Sequence, residues 1–122
     1  MNDINLMNKA ADNIRILAAS MVEKAKSGHP GGAMGGADFV NVLFSEFLVY
    51  DPKNPTWEGR DRYFQDPGHM SPMLYSVLAL TGKFTIDELK EFRCNPPQSS
   101  GSRIPARCDN GYVERSERRH QR

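Results

Sequence analysis

The sequence has few of the features that mark a membrane protein, a secreted protein or a strongly charged one. Its 122 residues include two cysteines and one tryptophan, and the formal net charge is only +1. No apolar run approaches the roughly 18 residues that a membrane-spanning helix needs. The first residues lack the basic and apolar regions of a secretory signal peptide. We therefore expect a cytoplasmic protein without membrane contact, whose cysteines are free thiols rather than a disulfide.

Metal-binding side chains are also scarce. Cys94, Cys108 and His120 are the residues that soft metals prefer, and they would supply at most three ligands. A structural zinc site has four ligands at a recognisable spacing, usually with a paired C-x-x-C. The sequence therefore predicts no metal site within this chain.

Charge and apolar content both change near Arg93. Residues 1–93 carry ten Lys/Arg and twelve Asp/Glu, whereas residues 94–122 carry six Arg, no Lys and three acidic residues. The last stretch has too few apolar residues to form a core. We predict a domain at 1–93 and a disordered tail at 94–122. An arginine-rich tail can contact nucleic acid, but the acidic residues that interrupt this one argue against that function.

The first half of the chain has the apolar spacing of helices. A stripe that includes Met7 and Met21 predicts one helix over 4–26, which Gly28 is placed to stop. After a glycine-rich stretch interpreted as a loop, residues 37–49 predict a second helix that is apolar nearly all round. Such a helix belongs inside a body larger than 122 residues, so we expect the isolated chain to be poorly soluble.

The second half alternates short apolar segments with turn residues. The aromatic run at 61–65 predicts a short strand, and 66–70 predicts a turn. Ser71 as N-cap and Pro72 as the first helical residue predict a third helix that runs to Gly82.

A capping-box sequence follows at 85–88. It predicts a fourth helix that places Leu89 and Phe92 inward. The order helix, loop, helix, strand, helix, helix is typical of the opening of an α/β fold. We therefore expect a partial, mainly helical piece of an α/β domain, whose other strands lie beyond this chain.

Two histidines lie beside glycines at the edges of helices. In the run 27–32, Pro30 biases His29 toward extended backbone, and the glycines allow close approach of a ligand. His69 follows Gly68 at a predicted strand–helix junction, where α/β sheets bind ligands and a helix N-terminus favours phosphate. An imidazole at such a place can move a proton or pair with a phosphate oxygen. From the residues alone, each histidine could equally be a loop side chain bonded to a carbonyl.

The glycine run that begins at Gly31 leaves a similar choice open. It lacks the G-x-G-x-x-G and Walker patterns, so it is weak support for phosphate binding. Close packing around the start of the second helix would explain it equally well.

Two ordered motifs across about residues 5–93 resemble the start of transketolase. The first motif consists of Lys24–Gly32, Gly35 and the helix through Phe47. The second consists of Arg60–Phe64, Gly68, His69 and Leu74–Leu78. The resemblance implies that the chain begins an α/β thiamine diphosphate-binding domain. It implies a transferase of the pentose phosphate pathway, which moves a two-carbon ketol unit between sugar phosphates.

The resemblance also implies roles for individual residues. His29 matches the family's catalytic histidine, which moves protons, contacts the substrate hydroxyls and stabilises the covalent donor intermediate. Ser27 lies in the same loop and is assigned to substrate binding. His69, with Gly68, matches the histidine that contacts the cofactor near its diphosphate. Family members are homodimers whose active site lies between the subunits.

The chain departs from the family pattern at two places. Asp66-Pro67 precedes Gly68, where family members usually have a Ser-Asn type of sequence. After Arg93, the family's Gly-Pro-Leu-Gly-Gln-Gly type of loop, its magnesium ligands and the glutamate that activates the cofactor are all missing. The resemblance thus implies thiamine diphosphate and Mg²⁺ as cofactors, with the Mg²⁺ ligands outside this chain. We expect the isolated chain to be inactive; the alternative is a non-catalytic cofactor-binding or partner-binding module.

The tail at 94–122 has two interpretations. One is out-of-frame translation of a gene whose proper frame continues the family sequence. Three features beyond Arg93 favour this hypothesis: the apolar periodicity is lost, the basic residues are arginine without lysine, and both cysteines lie there. The other is a genuine end of a shortened regulatory or binding protein.

Overall fold

The computed structural model describes residues 2–92, and these residues form helices joined by turns and one long loop. No strand occurs among them, so this part of the chain is mainly helical, as a partial piece of the expected domain would be. A π-helical turn, Leu43–Phe47, continues the third helix, and a 3₁₀ turn, Gly68–Met70, precedes the fourth. The helices are α1 Ile4–Ala25, α2 Pro30–Gly35, α3 Ala37–Val42, α4 Ser71–Leu80 and α5 Ile86–Lys90.

Helix α1 confirms the helix predicted at 4–26. The Asp3 carboxylate accepts hydrogen bonds from the backbone N–H groups of Asn5 and Leu6, which caps the N-terminus. The helix ends earlier than Gly28, because Lys26 adopts the left-handed conformation (φ 50°) and its N–H donates to the Glu23 carbonyl. The buried stripe consists of Ala11, Ile14, Ala18 and Met21.

The glycine-rich run forms a short helix, so the prediction of a loop is wrong. Pro30 occupies the first position of α2, where its fixed φ suits a helix and its missing N–H costs no hydrogen bond. Each glycine inside a helix costs about 1 kcal/mol relative to alanine. Packing of α2 against the rest of the fold therefore has to compensate for this cost.

The second predicted helix, at 37–49, is confirmed in position but ends sooner. Helix α3 widens into the π turn, which the Leu48 N–H closes on the Leu43 carbonyl at 2.9 Å. Its two sides differ sharply, because Val40 and Phe44 are buried while Phe39 and Phe47 are about two-thirds exposed. Only half of this apolar helix is covered by the described residues. The open side forms a groove of about 360 Å³ lined by Asp38, Phe39, Val42, Leu43 and Phe47.

Residues 61–65 do not form the predicted strand. Asp61 instead closes a loop: its N–H donates to the Val49 carbonyl and its carboxylate accepts from the Val49 N–H, both at 2.8 Å. Tyr63 packs its ring edge-on to Phe44, with centroids 5.5 Å apart. A strand needs a neighbour to satisfy its backbone groups, and residues 2–92 provide none.

Helix α4 begins one residue earlier than predicted. Met70 is its N-cap and Ser71 already has helical dihedrals, because the 3₁₀ turn runs directly into the helix. The predicted Ser71 cap is therefore wrong, although Pro72 still lies in the first turn. The helix ends at Leu80 rather than Gly82, and it is buried nearly all round from Pro72 to Leu78.

Helix α5 confirms the predicted capping box. The Glu88 N–H donates to Thr85 Oγ1 at 3.2 Å, and the Thr85 N–H donates to Glu88 Oε2 at 2.7 Å. Leu89 and Phe92 are buried, as predicted. Phe92, just after α5, lies edge-on to Tyr75 of α4, with centroids 5.9 Å apart, so an aromatic contact holds the end of this segment on α4.

The core lies where α1 packs against α2, α3 and α4. Arg15 adds a polar contact at its edge, because the guanidinium pairs with Asp12 on its own helix and with Asp38 on α3. Among residues 2–92, none of the helices combines the length and the apolar character that a membrane span requires. The predicted tail at 94–122, the domain boundary at 93, both cysteines and His120 lie outside the described residues.

Candidate functional site

His29 lies at the junction between α1 and α2. Gly28 has φ 113°, a conformation that other residues rarely adopt, and it turns the chain between the two helices. His29 is then extended (φ −123°, ψ 116°) and serves as N-cap of α2. The extended conformation predicted from the following Pro30 is thus confirmed. The imidazole is exposed at the end of a short connection held by a helix on each side.

One ion pair stands where this connection begins. Lys26 pairs with Glu23, and the hydrogen bond and positive charge of the ammonium hold the pKa of the Glu23 carboxyl below its ordinary value. Both side chains are exposed, so the pair contributes little to stability. Its consequence is local, because Glu23 remains a carboxylate beside the loop that carries Ser27 and His29.

The fold brings His29 and His69 together from two distant places in the sequence. Their ring centroids are 6.5 Å apart and the ring planes are nearly perpendicular, at 83°. Both imidazoles are exposed. Gly68 belongs to the same 3₁₀ turn as His69, and Ser27 to the same connection as His29. The structure therefore brings the two predicted histidines to one surface, each on its own side of the α2–α4 junction.

Two glycines of α2 allow that junction to be close. A Cβ added at Gly32 would lie 3.0 Å from Cγ and 3.3 Å from Sδ of Met70. A Cβ added at Gly36, just after α2, would lie 2.5 Å from Sδ of Met73. Both distances are shorter than ordinary van der Waals contact, so only glycine fits at these positions without a shift. Of the two interpretations of the glycine run, close helix packing is the one that this face supports.

The other two glycines of α2 border open space. A Cβ added at Gly31 or Gly35 would meet no atom within 4 Å. Glycines here leave the helix backbone accessible, so a ligand can approach closely on that side. The glycine run therefore has one pair in close contact with methionines and a second pair that faces free space.

The two exposed imidazoles can both donate and accept hydrogen bonds. A neutral imidazole offers one N–H donor and one nitrogen acceptor, and a protonated ring offers two donors. Two such rings 6.5 Å apart can hydrogen-bond the same polyoxygen ligand, for example a diphosphate or a chain of hydroxyls. This donor set, with the open glycine backbone nearby, fits a phosphorylated cofactor or substrate. Among residues 2–92, no three His, Cys, Asp or Glu side chains cluster as metal ligands would.

Sequence reasoning allowed close packing of the glycine run, but it did not single out Gly32 and Gly36 or the two methionines that they contact. The signal was present, since residues four apart lie on one face of a helix. It was not used because the run was interpreted as a loop, in which a four-residue spacing has no meaning.

Comparison with known proteins gives the family. Residues 6–117 match the family described as transketolase, thiamine diphosphate binding domain. This range extends beyond residue 93, where the predicted domain ends. The chain is 52% identical over 89 residues to "Transketolase" of Buchnera aphidicola subsp. Baizongia pistaciae, an alignment that covers 72% of this chain and 13% of that protein.

Other relatives agree. The chain is 45% identical over 104 residues to "Transketolase 1" of Escherichia coli strain K12, covering 84% of this chain and 15% of the relative. It is 42% identical over 110 residues to "Transketolase-1, chloroplastic" of Arabidopsis thaliana, covering 88% of this chain and 14% of the relative. The chain therefore spans about one-seventh of the length of these relatives.

Proposed function

This chain belongs to the transketolase family, and from that membership we propose that His29 and His69 form part of a thiamine diphosphate site. The observation that carries the proposal is the approach of the two rings to 6.5 Å, with both imidazoles exposed. If each histidine were only a loop side chain bonded to a nearby carbonyl, the fold would not be expected to bring the two rings together.

The residues have distinct roles in this proposal. His69 and Gly68 contact the cofactor on the diphosphate side, where an imidazole N–H donates to a phosphate oxygen. His29 faces the reacting part of the substrate and holds or releases a proton at a ring nitrogen, and Ser27 binds substrate beside it. Thiamine diphosphate, when bound, supplies the carbanion chemistry of its thiazolium ring.

A second proposal concerns the activity of the intact protein. We propose that the intact protein transfers a two-carbon ketol unit between sugar phosphates, with Mg²⁺ and thiamine diphosphate, as a homodimer with an α/β cofactor domain. The five helices described here would be the helical opening of that domain. The half-covered face of α3 supports this proposal, since Phe39 and Phe47 require a covering element.

The isolated chain, in contrast, is proposed to be inactive. It spans only 13–15% of the length of its relatives, and metal ligands are not grouped among residues 2–92. A ketol-transfer assay on the purified 122-residue chain, with thiamine diphosphate and Mg²⁺, tests this. We expect no turnover above background. Turnover that is abolished by His29→Ala would contradict the proposal.

A chimera tests the role of the two histidines directly. Residues 6–92 of this chain would replace the matching segment of Escherichia coli transketolase 1. We expect an active chimera whose ketol transfer is lost with His29→Ala and whose cofactor affinity falls at least about tenfold with His69→Ala. An active chimera that is indifferent to both site substitutions would remove the proposal.

The stretch 94–122 keeps its two hypotheses, and the coding DNA decides between them. Out-of-frame translation predicts a Gly-Pro-Leu-Gly-Gln-Gly type of segment in another frame downstream of codon 93. The family match that reaches residue 117 argues against out-of-frame translation that begins at codon 94. Absence of that segment from all three frames would exclude the frameshift hypothesis.

A further inference from the structure

We propose that Gly32 and Met70 are positioning residues that set the separation of His29 and His69. This inference rests on the proposed function for its biological meaning, because it concerns the same imidazole pair. The geometric claim can be tested independently of the proposed function, because it says which contact determines the distance between the two rings.

The contact lies directly behind the two histidines. Met70 follows His69 in the 3₁₀ turn, and Gly32 lies in the first turn of α2, whose N-cap is His29. Cγ, Sδ and Cε of Met70 all lie within 4 Å of the position that a Cβ on Gly32 would occupy. The backbone of α2 is thus pressed against the side chain that adjoins His69.

Met70 has little freedom to move away from an added methyl group. The nearest atom to the Gly32 position is Cγ, at 3.0 Å, and Cγ is close to the backbone rather than at the flexible end of the side chain. Its far end, Cε, lies 3.4 Å from the corresponding position on Gly36. A methyl group on Gly32 therefore displaces either the Met70 rotamer or the turn that carries His69.

A glycine of α2 with open space around it offers a matched control. Gly31 is the neighbour of Gly32, and a Cβ there would meet no atom within 4 Å. Alanine at either position raises the intrinsic helix propensity by a similar amount. A difference between Gly31→Ala and Gly32→Ala therefore reports the contact with Met70 and not the stiffness of α2.

The experiment measures the nuclear Overhauser effect between the ring protons of His29 and His69 in the labelled 122-residue chain, without cofactor. The edge-to-face arrangement places ring protons closer together than the 6.5 Å between centroids. We expect the wild type and Gly31→Ala to show the effect and Gly32→Ala to lose it. The double variant Gly32→Ala/Met70→Ala should regain it, because truncation of Met70 removes Cγ, Sδ and Cε, the three atoms that the new methyl group would meet. The methyl resonances of Leu89, which is buried on α5, serve as the control for an intact core.

Three results would overturn the proposal. One is retention of the ring-to-ring effect in Gly32→Ala, and another is its loss in both alanine variants. The third is failure of the double variant to regain it while the Leu89 methyl resonances keep their wild-type positions. Calorimetry with thiamine diphosphate on the same variants separates this inference from the proposed function. If the ring effect follows the expected pattern but no variant binds the cofactor, positioning is supported and the cofactor site is not.

Discussion

Leu78 and Leu80 of α4 offer a direct test of the described core. The two residues have the same side chain on the same helix, but Leu78 is 2% exposed and Leu80 is 46% exposed. Leu78 belongs to the cluster formed where α1 and α4 meet, and α4 continues directly from the turn that carries His69. Substitution of each leucine by alanine changes helix propensity equally, so the difference between the variants isolates burial.

The expected magnitude follows from the atoms removed. Leu78→Ala deletes three buried carbons, worth about 0.8 kcal/mol each in transfer free energy, or about 2.4 kcal/mol together. The cavity left behind adds to this, and buried Leu→Ala substitutions span about 2–5 kcal/mol, so we expect about 3 kcal/mol. For a domain of this size, that loss lowers the melting temperature by roughly 12–24 °C. Leu80→Ala should change the free energy of unfolding by less than about 0.5 kcal/mol.

Thermal denaturation of the 122-residue chain, followed by far-ultraviolet circular dichroism, measures both shifts. Leu78→Met keeps the volume and should cost less than about 1.5 kcal/mol, so it remains informative if Leu78→Ala does not fold. Equal melting temperatures for Leu78→Ala and Leu80→Ala would refute the arrangement of α4 described here. So would a larger loss at Leu80, because that result would place the opposite face of α4 in the core.

Three further outcomes are expected. Thr85→Ala removes the capping-box hydroxyl of α5 and should lower the free energy of unfolding by about 1 kcal/mol in urea denaturation; an unchanged midpoint would contradict that cap. Burial raises the pKa of Tyr50 and Tyr63 above the ordinary value of 10.0. The unfolded chain then loses these phenolic protons first, so urea midpoints should fall as pH rises from about 9 to about 11, less steeply in Tyr63→Phe; equal slopes would rule out Tyr63. Phe39→Ser combined with Phe47→Ser should reduce self-association in sedimentation velocity, because both rings are about two-thirds exposed; a wild type that is already a compact monomer would contradict this.

Local signals in the sequence were sufficient for some elements of the fold. The apolar stripe over 4–26 predicted α1 nearly to its ends, and Thr85 with Glu88 predicted the cap of α5. These patterns depend on residues within a few positions of one another, where backbone and side-chain geometry leave few alternatives. Leu89 and Phe92 followed from the same local pattern and are buried as expected.

The strand predicted at 61–65 shows where such signals stop. An aromatic run has high strand propensity, but propensity measures how well side chains fit a pleated surface that already exists. No neighbouring strand is present among residues 2–92, so Tyr63 packs on Phe44 and Asp61 bonds the backbone of Val49 instead. The decisive information was the presence of a partner, which a single short segment does not contain.

Sequence reasoning singled out the two histidines of the candidate site but not the contacts that bring them together. His29 and His69 each stood out beside glycines, and the resemblance to transketolase paired them. What holds the rings 6.5 Å apart is a helix built from glycines, against their intrinsic preference, because Gly32 fits against Met70. Whether the glycine run forms a helix or a loop depends on this contact between residues far apart in sequence. The low helix propensity of glycine alone therefore predicts a loop, which is wrong. In our proposal the glycine run therefore acts first through the contact of Gly32 with Met70, which sets the separation of the histidines, and only then through the open space at Gly31 and Gly35, which a ligand can approach.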